Sequence, residues 1–194
     1  MNMIKSIHYG AVILAIALLL ASCSSEHKAL QAVSSPEMTA ELDGLTVTLK
    51  FRDDASLTRQ FGSTANPFIT EYYRLFFRRF VTFEMTLTNQ TQATYPFKLS
   101  DFRLEYGGKE IRPINKVSLL NYWQSSDEML KTTREREPII NKYVLPNWKD
   151  VPVGGMLRGY LVFQGDLPLH GEAKVSIPAA GGKGQEPLWL SYTF

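Results

Sequence analysis

Val81-Thr82-Phe83-Glu84-Met85-Thr86-Leu87-Thr88 alternates apolar and polar side chains without a break. In an extended chain, successive side chains point to opposite faces, so the odd residues bury and the even ones face out. A second stretch keeps the same beat: Leu45, Val47, Leu49 and Phe51 alternate with Thr46, Thr48, Lys50 and Arg52. Both predict half-buried β-strands. After the first stretch, residues 89–93 read as a turn, and Tyr95, Phe97 and Leu99 continue a third strand. Pro96 marks that strand as an edge or a bulge, because proline gives no N–H to a ladder. The inward parity then moves to Phe102, Leu104 and Tyr106. A bend near Ser100-Asp101 accounts for this, since a one-residue shift exchanges the two faces.

Further along, Gly107-Gly108 lies between strand-like runs and predicts a tight hairpin into residues 109–113. Residues 157–163 are apolar on both parities apart from Arg158 and Gly159, which predicts a central strand. Ala173, Val175 and Ile177 share one face of another strand, and Leu188, Leu190, Tyr192 and Phe194 share one face of the last. Seven to nine short strands separated by turns predict an all-β, antiparallel sandwich or barrel.

Two stretches break the pattern. Residues 58–70 carry Gly62, Asn66 and Pro67 and read as loop. Residues 115–138 form a polar insertion. There Ser125 and Glu128 have capping-box spacing ahead of Met129-Leu130, and Pro138 is expected to stop the resulting short helix.

Three segments together resemble bacterial extracytoplasmic Ig-like domains of the immunoprotective-antigen type. They are Phe83-Glu84-Met85-Thr86-Leu87-Thr88-Asn89-Gln90-Thr91, then Leu99-Ser100-Asp101-Phe102-Arg103-Leu104, then Val151-Pro152-Val153-Gly154-Gly155 running into Gly159-Tyr160-Leu161-Val162-Phe163. The resemblance covers roughly residues 40–194. It implies an Ig-like antiparallel β-sandwich in a cell-envelope setting, and no catalytic residues. The insertion at 115–138 departs from that pattern.

The N-terminus carries a second resemblance. Lys5 supplies a short basic region, and residues 11–20 are uninterruptedly apolar. That run is short for a spanning helix, which needs ~20 apolar residues, and fits the core of an export signal. Leu20-Ala21-Ser22-Cys23 closes it and resembles the lipobox of bacterial lipoproteins. The resemblance implies a signal peptide over residues 1–22, cut between Ser22 and Cys23, and a diacylglyceryl group with palmitate-type acylation on Cys23. Ser24 at the following position resembles lipoproteins destined for the outer membrane and facing the periplasm, with the cell surface as the other destination. Residues 23–38, rich in Ser and Ala, read as a lipidated tether, and residues 39–194 as the domain.

Removing the leader removes Lys5 alone from the charge count. It leaves 20 Lys+Arg against 19 Asp+Glu, from 21 against 19 in the whole chain. Such balance makes no electrostatic case for nucleic acid. Cys23 is the only cysteine, so the domain is expected to stand without a disulfide in an oxidising compartment. His27 and His170 are far apart in sequence, and no second sulfur accompanies them, so neither a metal nor a cofactor is expected. No serine sits in a G-x-S-x-G turn. Asp53-Asp54 and Asp127-Glu128 are acid pairs at turns or helix starts, where carboxylates ordinarily cap or face solvent.

Aromatic residues offer the remaining candidates. The run Tyr72-Tyr73-Arg74-Leu75-Phe76-Phe77-Arg78-Arg79-Phe80 reads as the approach to the Val81 strand, with odd residues inward and arginines outward. Trp123, Tyr143 and Trp148 lie in or beside the insertion, and an aromatic excursion on a rigid scaffold is where partner contacts concentrate. The expectation is therefore a non-catalytic binding or structural module, anchored to the membrane and meeting an unidentified envelope protein there. Two alternatives stand beside it: a small outer-membrane β-barrel, suggested by the aromatic residues of the last strand, and an envelope hydrolase using exposed carboxylates.

Overall fold

The computed structural model describes residues 32, 35–69, 79–125, 130–165, 167, 170–178 and 187–194. The expected leader, Cys23, most of the expected tether, residues 72–78 of the aromatic-basic run and the Asp127-Glu128 pair lie outside them. Ten strands are described, paired throughout as antiparallel neighbours. One sheet has the order β1-β2-β3-β8, from β1 (Glu37–Leu42), β2 (Leu45–Arg52), β3 (Arg79–Asn89) and β8 (Met156–Gly165). The other has the order β10-β9-β5-β6, from β10 (Leu188–Thr193), β9 (Glu172–Ile177), β5 (Arg103–Tyr106) and β6 (Lys109–Ile111). A two-stranded ribbon pairs β4 (Tyr95–Lys98) with β7 (Trp148–Val151). β1 begins at Glu37 and takes in Glu37 and Met38, the last residues of the expected tether.

The alternating stretches face as their period requires. Leu45, Val47, Leu49 and Phe51 on β2 are buried, as are Val81, Phe83, Met85 and Leu87 on β3. They enter one core with Leu104, Tyr106, Ala173, Val175, Ile177 and Tyr192 from the second sheet. Rings interlock across the gap: Phe83 meets Tyr192 at 4.9 Å and Phe51 meets Phe194 at 4.8 Å, centroid to centroid. The Tyr192 hydroxyl donates to the Leu49 carbonyl at 2.9 Å, which ties the sheets together inside the core. Among the described residues the strands form separate open sheets, not one closed barrel.

The parity change has its bend: a 3₁₀ turn over Leu99–Asp101 exchanges the inward face between Leu99 and Phe102. Gly107 and Gly108 take φ of 60° and 72°, and the hairpin they form pairs Tyr106 with Lys109. A two-residue turn of this hand needs positive φ at both positions, which glycine adopts at no steric cost. Asn89 links the first and third of the three segments quoted above. Its side-chain N–H groups donate to the carbonyls of Ala93 and Val151, and its Oδ1 accepts from Thr91 N. Its backbone exchanges bonds with Gly154 and Gly155.

Three expectations are corrected. Residues 58–70 are not wholly loop, because α1 (Asp54–Phe61) extends into them. Its start is set by Asp53, whose carboxylate accepts from Ser56 N at 2.6 Å, and its end by Gly62 at φ 79°. The insertion is not a short helix ended by Pro138. It contains α2 (Lys116–Ser125) and α3 (Leu130–Tyr143), and Pro138 sits inside α3. Proline forfeits one intrahelical bond there, but it lies on the exposed side, where the freed carbonyl need not be buried unpaired. Ser125 ends α2 rather than starting a helix, and its hydroxyl donates to the Tyr122 carbonyl. Finally, β8 is not central: it stands at the end of its sheet.

The helices explain why β8 nevertheless reads as buried on both parities. They cover half of the outer face of the first sheet and build a second core there. Leu57 of α1, Leu119 and Trp123 of α2, and Ile140 of α3 pack with Phe68 onto Phe80, Tyr160 and Val162. The free edge of β8 is closed by isolated bridges, Pro113 to Phe163 and Val144 to Tyr160.

Candidate functional site

At the border between the covered and uncovered halves of this outer face lies an open cleft of about 430 Å³. Arg52, Gln60, Glu84, Lys142, Tyr143, Arg158, Gly159 and Tyr160 line it. Strand register creates it. Glu84 stands opposite Tyr160 on β8, Thr86 opposite Arg158, and Thr82 opposite Arg52 on β2. Arg52 and Arg158 are therefore the diagonal neighbours of Glu84 on one face, close enough for long side chains to meet.

They do meet. Arg52 Nη1 donates to Glu84 Oε2 at 2.7 Å, and Arg158 Nε donates to Glu84 Oε1 at 3.0 Å, with Arg158 Nη2 on the same oxygen. Burial alone raises the Glu84 carboxyl, but the hydrogen bonds from Arg158 and Arg52, with their charges, outweigh it and hold the group below the usual glutamate range. The remaining donors of Arg52 are also engaged, Nη2 on Gln60 Oε1 at 2.7 Å and Nε on Ser56 Oγ at 3.4 Å. The Tyr160 hydroxyl completes the set by donating to Gln60 Oε1 at 3.0 Å. Burial pushes that phenol up, so it stays protonated and a donor.

The wall opposite comes from the end of α3. Tyr143 packs against Phe61 and Tyr160, at 5.0 and 5.4 Å between centroids, and Lys142 Nζ lies 5.1 Å from the Tyr143 centroid. Gly159 lets this wall approach. A Cβ at that position meets Tyr143 O and Leu145 Cδ2 at 2.9 Å. Without one, Leu145 N reaches the Tyr160 carbonyl. The cleft thus carries three cations and a single carboxylate on its walls. Arg158 leaves Nη1 without an acceptor among the described residues, and its side chain is 68% exposed. Lys142 is exposed, with no carboxylate partner among them.

The aromatic candidates scatter. Tyr143 lines the cleft. Trp123 is 1% exposed; its indole N–H donates to the Pro67 carbonyl at 3.0 Å, and the Arg136 guanidinium lies 3.7 Å from its ring centroid. It is a core residue, withdrawn from any partner. Trp148 is 57% exposed on β7, outside the cleft. Of the acids, Asp53 caps α1 and Asp54 occupies its first turn, where burial raises its carboxyl against the charge of Arg79. His170 is exposed, and no cluster of three potential metal ligands occurs among the described residues. A second depression over the Gly107-Gly108 hairpin carries Glu105, Glu110 and Glu172, with Arg103 on Glu110 at 3.1 Å and Lys174 on Glu172 at 3.8 Å.

Sequence reading missed Arg52, Gln60, Glu84, Arg158 and Tyr160 as a group. Each strand member occupies the outward parity of its own strand, but nothing in the sequence pairs β2 with β3 and β3 with β8 in that register.

No protein-family model matches the chain, and no curated protein matches it. Among solved structures it is similar to YcdA, a candidate lipoprotein of Bacillus subtilis, at 11% identity and a TM-score of 0.45. The alignment covers 83% of this chain and 38% of that one, so this chain spans less than half of that neighbour.

Proposed function

We propose that this chain is an exported, lipid-anchored envelope protein whose domain is a non-catalytic binding module of Ig-like type, with its ligand seated in the Arg52–Glu84–Arg158 cleft. The observation that carries the binding role is the cleft's charge: three cations and one carboxylate brought to one cleft by register and by α3. Such a site is pre-organised to receive charge, and its cost of assembly is met within the fold rather than at the moment of binding. Two facing antiparallel sheets support the Ig-like reading. The lipobox-like Leu20-Ala21-Ser22-Cys23 supports export, cleavage after Ser22 and acylation of Cys23. Two or more acyl chains give stable anchoring where one is marginal. The outer membrane, facing the periplasm, is the address this reading favours.

Cys23→Ser tests the anchor. It leaves the described domain untouched, so the expected result is a folded protein that moves from the membrane pellet to the soluble fraction. A folded mutant that still pellets overturns the anchor.

A further inference from the structure

We propose that the cleft binds the doubly charged oxyanion of a phosphate monoester, with Arg158 and Lys142 as the groups that touch it. This rests on the reading of the cleft as a binding site and names its ligand class. The argument begins with charge. Arg52, Arg158 and Lys142 line the cleft with one carboxylate, Glu84, which leaves two positive charges uncompensated. A single carboxylate neutralises one of them and a phosphate dianion neutralises both.

The donors divide in the same way. Arg52 is spent inside the cleft, on Glu84, Gln60 and Ser56, and acts as a positioning residue. Arg158 is pinned by Nε and Nη2 to Glu84 Oε1 and keeps Nη1. Its planar fork is thus oriented before any ligand arrives, and guanidinium forks suit phosphate oxygens. Lys142 adds a point charge from the opposite wall, where its contact is the face of Tyr143. Both oxygens of Glu84 are occupied by arginines, so the cleft does not offer a carboxylate to a cationic ligand. Partly enclosed walls of one sign also focus the field on the site.

The test uses the full lipidated chain in neutral detergent, at low salt and pH 7.5, where a phosphate monoester is close to dianionic. Calorimetric titration with glycerol 3-phosphate is expected to show saturable binding that weakens as salt is raised. Acetate and glycerol are expected to bind at least about tenfold more weakly, the equivalent of one charge-assisted hydrogen bond. Lys142→Gln and Arg158→Gln are each expected to weaken glycerol 3-phosphate at least about tenfold with an unchanged far-ultraviolet spectrum. Lys142 is exposed and makes no hydrogen bond among the described residues, so its variant keeps the test sound even if Arg158→Gln disturbs the sheet face. Dihexanoyl phosphatidic acid separates the possible sources. Binding tighter than glycerol 3-phosphate assigns the phosphate to a lipid headgroup, and equal or weaker binding assigns it to a soluble ester. No binding of glycerol 3-phosphate, equal binding of acetate, or unchanged affinity in Lys142→Gln overturns the proposal. The Cys23→Ser fractionation is independent of all these outcomes, so the anchor and the ligand class stand or fall separately.

Discussion

Thr82 and Glu84 sit two residues apart on the outer face of β3 and meet opposite fates. The Thr82 hydroxyl is buried beneath the helices, at 1% exposure for the residue, with no hydrogen-bond partner among the described residues. An unpaired buried hydroxyl costs stability, and an apolar group of the same shape avoids that cost. Thr82→Val is therefore expected to stabilise the protein by about 1 kcal/mol, read as a higher urea midpoint at unchanged slope. A lower midpoint would reveal a partner for the hydroxyl. Glu84 has two partners and a carboxyl held below its ordinary range. A carboxylate with a depressed folded-state pKa contributes stability that is complete above the unfolded-state value and disappears as pH falls through the folded one. Glu84→Gln should thus be less stable than the parent at pH 7, by about 1 kcal/mol once solvent screening of the exposed Arg158 is allowed for. The difference should close as pH drops below about 4. Urea melts across that range check it, and a gap that persists in acid would mean that the ion pairs are not its source.

At the scale of elements, one glycine decides how α3 meets β8. A methyl group at Gly159 meets the Tyr143 carbonyl and Leu145 at 2.9 Å, and both belong to the segment that bridges to Tyr160. Backbone cannot step aside as a side-chain tip can. Gly159→Ala is expected to cost about 1–3 kcal/mol and to loosen the α3 wall, weakening ligand binding in the cleft along with stability. An unchanged melt would show that the connection moves freely. This contact also marks how far the sequence could be read. Period-two stretches such as Leu45–Arg52 and the β3 alternation announce strands and their inward faces because burial on one side imposes that period. The parity slip at Phe102 and the Gly107-Gly108 hairpin were legible for equally local reasons. The helical layer was not. Asn115 caps α2 through Ser118 N, and Pro138 looks like a stop until its exposed position inside α3 is known. The apolar even residues Phe80, Tyr160 and Val162 carried the signal that something covers the outer face. The same doubled parity in residues 157–163 also suits a central strand, and the sequence alone does not separate the two. The cleft was less legible still: its members are joined across 106 positions, Arg52 to Arg158, by register alone.

At the scale of the molecule, β3 and β8 serve two cores at once. Leu161 points into the core between the sheets and its neighbour Val162 into the core beneath the helices, both at 0% exposure. A sheet that is the wall of both cores cannot lose one packing partner while keeping the geometry needed by the other. The domain is therefore expected to unfold as one unit, though it holds two clusters. Leu161→Ala should cost about 2–5 kcal/mol and Val162→Ala somewhat less, as cavities in a close-packed interior do. Each variant should keep a single transition. The probes differ: far-ultraviolet circular dichroism reports sheets and helices together, and tryptophan fluorescence reports chiefly buried Trp123 of α2, with exposed Trp148 and Trp189 changing less. Coincident midpoints by both probes in both variants fit a shared wall. A fluorescence transition that precedes the main loss of circular dichroism in Val162→Ala would show instead that the helical layer opens by itself. The cleft would then be a site whose α3 wall can leave, and ligand binding should pull the early transition back towards the main one.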